Sequence, residues 1–485
     1  MNRGWQGFWL WCAAAIAGLA VGGASGSTPA EALRDLAGAP ARLVWSRQPP
    51  PGDDPFVRGE GLTLMGLDTE DGVGERIILP GPDSFHRPML TPRGDRVVFN
   101  RHAANEMWVV GFDGRGLRRL GSGLAVDVWL DEDEGLEWVY HIPGETGWGK
   151  GRPVMRLVLD DPERLEGVWD RTEVTVDNFQ LSRDGRVASG QFPHPMGGLA
   201  ELPDVGWTFF YRGCWSSLAP DNSYIMWVFD GAHRNLRFAD PRTDERWNVP
   251  ISVAPGVDGH EVYHPRWSNH RRLFVMTGPY TVTGHGANPI YGGGDQVDVH
   301  VGRFSEDLRA VEAWARVTAG GQADFAPDLW VLHDAHADGP VAADGRHPWR
   351  RDGKRVAADD PARPNASSPM PDEARPGVVR SHVTAEVLET TPTPTLAEIM
   401  PYRQALTVTL YRVVDGDDTL TAGDEILVAK WAVLDGEPIR TPPPAGASLE
   451  LWIEPYDAHP QLESERLLMA MNRYELPLYV NVGNP

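Results

Sequence analysis

Two cysteines serve 485 residues, and one of them, Cys12, lies in an N-terminal stretch that reads as a removable leader. The remaining thiol, Cys214, has no internal partner, so a disulfide framework is excluded even in an oxidising compartment. Its neighbours Trp215 and Leu218 point to a buried structural thiol; a nucleophile needs a lowered pKa and a nearby base. Basic residues are also scarce, with 45 Lys and Arg against 68 Asp and Glu and a formal net charge of −23. That balance argues against nucleic acid, whose phosphates call for a basic face, and against an anionic membrane surface. It permits cation binding without showing it, because solubility alone accounts for an acidic surface. No apolar run beyond the leader nears the ~20 residues of a membrane helix. No long amphipathic helix pattern precedes Asp334. Gly-x-Ser-x-Gly, His-Glu-x-x-His, Cys-x-x-Cys and a phosphate-cradling glycine loop are all missing. Gly292-Gly293-Gly294 does not open a helix, and the acidic run Asp131 to Glu134 reads as a solvated face rather than glycosidase carboxylates.

What is present begins with a targeting pattern. Arg3 is followed by an apolar run from Phe8 to Val21 and by small residues, with Ala24 and Gly26 spaced for signal peptidase. Residues 1–26 are therefore expected to be a signal peptide, with an uncleaved anchor as the alternative. The mature chain is expected in the periplasm or secreted, with no stable membrane insertion. Thr28-Pro29-Ala30-Glu31 has the order of an N-cap, an N1 proline and a first helical turn, so residues 27–40 should hold a short helix.

From residue 41 the pattern changes to short strands and turns, which makes the chain all-β. The clearest unit is PMLTPRGDRVVFNR (residues 88–101) followed by EMWVVGFDGRGLRRL (106–120). Pro92-Arg93-Gly94-Asp95 is a tight turn, Val97–Val98–Phe99 a strand that packs on both faces, and Asp113-Gly114 a hairpin signal. The element recurs as QLSRDGRVASG (180–190), SLAPDNSYIMWVFD (217–230, with Asn222 where glycine could stand), more loosely as RWSNHRRLFVMTG (266–278), and in degenerate form at 130–142. RLVWSR (42–47) is expected to be the first strand of an opening blade. With Leu43, Leu90, Leu130, Leu181, Leu218 and Trp267 as anchors, the gaps are 47, 40, 51, 37 and 49 residues. Such periods suit four-stranded propeller blades of ~40–50 residues.

The unit resembles the PD40 (WD40-like) repeat of TolB propellers, on the turns Thr91-Pro92-Arg93-Gly94, Ser182-Arg183-Asp184-Gly185 and Ala219-Pro220-Asp221-Asn222 and the hairpin Asp113-Gly114. The resemblance covers residues 41–333 and implies a β-propeller of six blades, with seven as the alternative. Stretches 144–151, 193–206 and 281–295 depart from the pattern as insertions. Fold does not carry function with it, because such propellers serve many roles. Residues 334–377 are rich in Ala, Asp, Pro and Arg and read as a linker. Residues 378–485 hold about six strand patterns and a helical turn at 395–400, enough for a small β-barrel or β-sandwich. Their acidic stretch 415–425 fails an EF-hand count, with Leu420 at position six and Ile426 at position twelve, and reads as a hairpin.

Two clusters could carry chemistry. His233, His260, His264, His270 and His285 fall within one region. Imidazoles can hold Mn, Fe or Zn, and some propeller lyases use a histidine-bound metal in the central funnel. Residues four apart on a strand lie ~13 Å apart, so the spacing chelates nothing without a turn; the bland alternative is that these histidines tie loops. Aromatic and basic residues form the second cluster, with Tyr211, Trp215, Arg234, Tyr263 and Arg266 as ligand-binding candidates, since rings stack on sugars and Arg forks onto carboxylates. Packing between blades is the alternative, with Tyr211, Arg234 and His264 expected to be the exposed ones. Together these favour an exported, monomeric binding scaffold for a glycan or protein with no cofactor. The alternative is a metal-dependent lyase or hydrolase acting on acidic polysaccharide.

Overall fold

A computed structural model describes residues 27–145, 149–280, 296–332, 378–399, 402–417, 419–463, 465–471, 473 and 476–483. The proposed signal peptide, the whole of the proposed linker 334–377, and His285 lie outside them. The described chain is all-β: six four-stranded blades around an axis, then a separate closed barrel of five strands. Six blades, not seven, and a barrel, not a sandwich, are the outcome.

Blades II to VI each run outward from an inner strand, and every adjacent pair is antiparallel. Their inner strands are His86–Leu90, Leu124–Asp131, Gln180–Leu181, Cys214–Leu218 and Glu261–Trp267. Four of the anchor leucines, and Trp267, sit at or near the ends of these strands. Leu43 does not. Ala41–Gln48 is the second strand of blade I, and its inner strand is Ala323–Val331 from the far end of the domain, paired Leu43↔Leu329. The sequence could not show this exchange, because the two strands lie some 280 residues apart and share no local signal. It closes the ring by pairing rather than by packing, which removes two free sheet edges. Residues 193–206 are not an insertion either; they hold Met196–Glu201, the third strand of blade IV.

Alternation within each strand puts apolar side chains on both faces, so every blade buries both its faces against its neighbours. Between blades V and VI the indoles of Trp227 and Trp267 stack at 4.2 Å, with Phe238, Phe274 and Phe304 around them. The tight turns interlock in the same way. Gly94 (φ +71°) and Gly185 (φ +67°) lie under Trp330 and Trp129 of the preceding blade, where a Cβ would meet ring atoms at 2.4 and 2.5 Å. Both indole N–H groups donate to the turn, to Pro92 and Arg183 carbonyls at 2.8 Å. In blade V Asn222 takes the glycine position with φ +57°, a conformation Asn tolerates.

Helix α1 (Pro29–Ala37) is capped by Thr28, whose side chain and Glu31 form a reciprocal capping box. Its Leu33 and Leu36 pack on the seam between blades VI and I. The barrel closes through Ser381–Thr390, Ala405–Asp415, Glu425–Leu434, Leu478–Asn481 and Ser448–Pro455, each paired to the next and the last to the first. It docks on one face of the propeller. Arg466 of the barrel, 1% exposed, lies 3.1 Å from both carboxylate oxygens of Glu261 in blade VI. Tyr402 donates its hydroxyl to Cys214 Sγ at 2.9 Å. Ile399, Tyr402, Ala405, Val433 and Leu468 join the propeller's own core. Burial pushes the Cys214 thiol up to about 11, so it stays protonated and inert.

Candidate functional site

In blades II to VI each inner strand runs along the axis and ends in a tight turn on the face away from the barrel. The residue just before the turn anchor is often polar: Gln180 before Leu181, Ser217 before Leu218, Arg266 before Trp267 and Asp328 before Leu329. A strand side chain there must face the axis, because the anchor faces the blade interface. These groups join into a hydrogen-bonded belt. Arg266 donates from Nε to Asp328 and from Nη2 to Asp127, each at 2.8 Å. The second oxygens of these carboxylates accept the backbone N–H of Leu90 (2.8 Å) and Leu181 (2.7 Å). Gln180 accepts from Leu218 N at 3.2 Å and from the Ser217 hydroxyl, which in turn accepts from Trp267 N at 3.0 Å. All six blades are thereby tied at one level. Burial pushes the carboxyls of Asp127 and Asp328 up, and Arg266 opposes that push.

Above the belt lies a cavity of about 210 Å³. Every blade contributes to it: Trp330 from I, Pro92 from II, Trp129 and Glu132 from III, Arg183 from IV, Pro220 from V, Trp267 and Asn269 from VI. Arg183 and Glu132 pair across the III–IV rim at 2.8 Å. Indole walls, a charged rim and an arginine floor form a surface on which apolar rings and polar groups can both be received.

The belt also decides where the candidate residues fall. Arg266 lines the cavity, on its floor. Tyr211 is 7% exposed, between blades IV and V, with its hydroxyl on the Phe238 carbonyl and Arg237 over its ring. The expected exposure of Tyr211 and His264 is thus corrected, because a blade outer strand and an inner-strand bulge are both covered by neighbours. Trp215 and Tyr263 are buried edge-to-face at 5.5 Å on the barrel side of the channel. Arg234 is half-buried and donates to the Gly259 carbonyl at 2.9 Å.

The histidines are dispersed. His233 is buried 3.3 Å from Glu261, beside the barrel contact. His264 is buried with Nδ1 3.0 Å from Thr277 Oγ1. His270 sits in the turn at the opposite end of that strand, where Nδ1 accepts from Arg272 N at 3.2 Å. His260 is half-buried ahead of the strand. Among the described residues no three His, Cys, Asp or Glu side chains converge as a metal site.

Sequence reasoning missed Asp127, Asp328 and Arg87. The signal for Asp328 was the polar-then-anchor pair, visible once the repeat is aligned on Leu329. Arg87 and Asp127 had none, because both depend on bulges. Pairing slips in the inner strands at His86/Met89, Ala125/Asp127, Cys214/Ser216 and Tyr263/Arg266. A bulge re-aims side chains, and Arg87, Trp215, His264 and Ala326 take positive φ to turn inward.

No family model matches the chain, and no curated protein matches it. Among solved structures it is similar to TolB from Acinetobacter baumannii, at 14% identity over 61% of this chain and 69% of that one, with a TM-score of 0.39. Putative TolB from Agrobacterium tumefaciens gives 12%, 59%, 72% and 0.26. Kuenenia stuttgartiensis hydrazine synthase gives 10%, 47%, 74% and 0.33.

Proposed function

We propose that the chain is an exported binding scaffold that seats a glycan or protein segment in the cavity on the turn face of the propeller. One observation carries this reading: a single cavity at the channel mouth is lined by all six blades, while the barrel covers part of the other face. Ring faces from the half-buried Trp129 and Trp330 supply stacking area at little entropic cost, and the Arg183–Glu132 pair supplies directional groups at the rim. No step needs a metal, so elemental analysis of the purified chain is expected to find no stoichiometric Mn, Fe or Zn. Metal that disappears in His264→Ala and His270→Ala would support a lyase instead.

The test is a glycan array run beside a peptide library on the full mature chain. A hit is then remeasured with Glu132→Ala and Arg183→Ala, which sit on the rim and spare the belt. Binding is expected to weaken about tenfold in each. Affinity unchanged in both, or cross-links confined to the barrel face, overturns the reading. Recovery of the chain outside the cytoplasm, beginning near residue 27 and monomeric, is expected alongside.

A further inference from the structure

The cavity on the turn face measures about 210 Å³, below the roughly 300–1,000 Å³ of pockets that enclose a whole drug-sized ligand. It has room for one side chain or one ring. Its walls and charges narrow the choice further. The half-buried indoles of Trp129 and Trp330 stand on it. Their N–H groups are committed to the Arg183 and Pro92 carbonyls at 2.8 Å, so they offer a ligand π surface and no donor. The Asn269 side chain is committed too, to the backbone of Val331 in both directions.

Three carboxylates, Asp127, Glu132 and Asp328, share the lining with two guanidiniums, Arg183 and Arg266. On the floor Arg266 alone serves both Asp127 and Asp328, at 2.8 Å each. Burial holds those two carboxyls above their ordinary range in spite of it. Arg87, beneath Arg266, faces a different carboxylate, Asp177, at 3.9 Å. On the rim Nε and Nη2 of Arg183 both donate to one oxygen of Glu132, Oε1, at 3.0 and 2.8 Å. That leaves Oε2 to accept from a ligand, and the Glu132 side chain is 47% exposed against 17% for Arg183. The cavity therefore shows an anion at its mouth and an excess of carboxylate at its base, with its cations held behind them. A ligand carboxylate meets repulsion at both levels. An ammonium or guanidinium meets carboxylates and ring faces, the two surfaces that attract it.

We propose that the cavity receives one arginine or lysine side chain from a segment of a partner protein, its charged head held by the carboxylates and its methylene stem lying along Trp129 and Trp330. This rests on the cavity being the ligand seat and names what it seats. The net charge of −23 draws such a partner in. The test is isothermal titration of the full mature chain with acetylated, amidated alanine peptides whose central residue is Arg, Lys, Gln or Glu. At least one basic peptide is expected to bind about tenfold tighter than the Gln peptide, and the Glu peptide not at all. Glu132→Gln should weaken the basic peptide about tenfold, and added salt should weaken it as well. The exposed position of Glu132 keeps folding out of that result. A Gln peptide that binds as well as the basic ones, a Glu peptide that binds better, basic peptides indifferent to Glu132→Gln, or no binding by any of the four overturns the proposal. A glycan that is weakened by Glu132→Ala and Arg183→Ala, where no basic peptide binds, keeps the cavity as the ligand seat and overturns only the basic side chain.

Discussion

Burial in this propeller falls hardest on its imidazoles. His141 and His300 are pushed down by burial to about 4, and His194 and His264 to about 3. In the unfolded chain each binds a proton near its ordinary value of about 6.5. From pH 6.5 down to about 4 the unfolded state therefore holds more protons, and stability falls with pH. Asp298 works against this: burial holds its carboxyl up to about 6, so its contribution grows as pH falls through that value. Burial pushes the carboxyls of Asp127, Asp328 and Glu465 the same way as that of Asp298, and it pushes His86, His233 and His260 down with the other four imidazoles; seven imidazoles against four carboxyls set the sign. The urea midpoint is expected to be lower at pH 5 than at pH 7, and His264→Gln should flatten the slope. A midpoint that rises toward pH 5 would contradict the burial of these rings.

At the scale of the element, the closing strand matters most. Ala323–Val331 and Ala41–Gln48 are held together by more than backbone pairing. Asp324, fully buried, accepts from Trp45 Nε1 at 2.7 Å and from Arg47 Nε and Nη2 at 2.6 and 2.9 Å. The aspartate from one end of the domain thus clamps the indole and guanidinium from the other. Removing it leaves the indole N–H without its acceptor and Arg47 with Glu75 alone, 2.8 Å from Nη2. Asp324→Ala is expected to cost about 3 kcal/mol, the scale of breaking a buried pair from one side. Chemical denaturation checks this, and a loss below about 1 kcal/mol would mean that strand pairing alone closes the ring.

For the whole molecule, the question is what makes propeller and barrel one body. Glu261 has no exposure and faces Arg466 and His233. Burial pushes its carboxyl up, yet Arg466 and His233 outweigh burial and hold it below its ordinary value. Arg237 to Glu463 at 3.1 Å and Tyr402 to Cys214 flank this pair. A double-mutant cycle on Arg466→Met and Glu261→Gln is expected to show a coupling of at least about 1 kcal/mol. The Arg466→Met single variant should increase the radius of gyration in solution scattering as the barrel swings free. An unchanged radius together with no coupling would make the apolar contacts of Ile399, Leu468 and Val433 sufficient for docking.

The chain's own text settled the local and periodic features. Turn residues such as Pro92-Arg93-Gly94 and Asp113-Gly114 and the β-branched strands between them are short-range chemistry, so the all-β class and the repeat of about 40–50 residues were legible. Asn222 as a glycine substitute was legible for the same reason. The tertiary structure decided what depends on distant partners. It moved residues 42–47 from first strand to second, because strand 323–331 comes back to them. It buried Tyr211 and His264, because a ring of blades covers faces that a single blade would leave open. It gathered Arg87, Asp127, Arg266 and Asp328 on the axis, because bulges turn some of them inward and six blades then share one channel. A sequence fixes which residues can occupy a blade; only closure of the ring determines which of them meet at its centre.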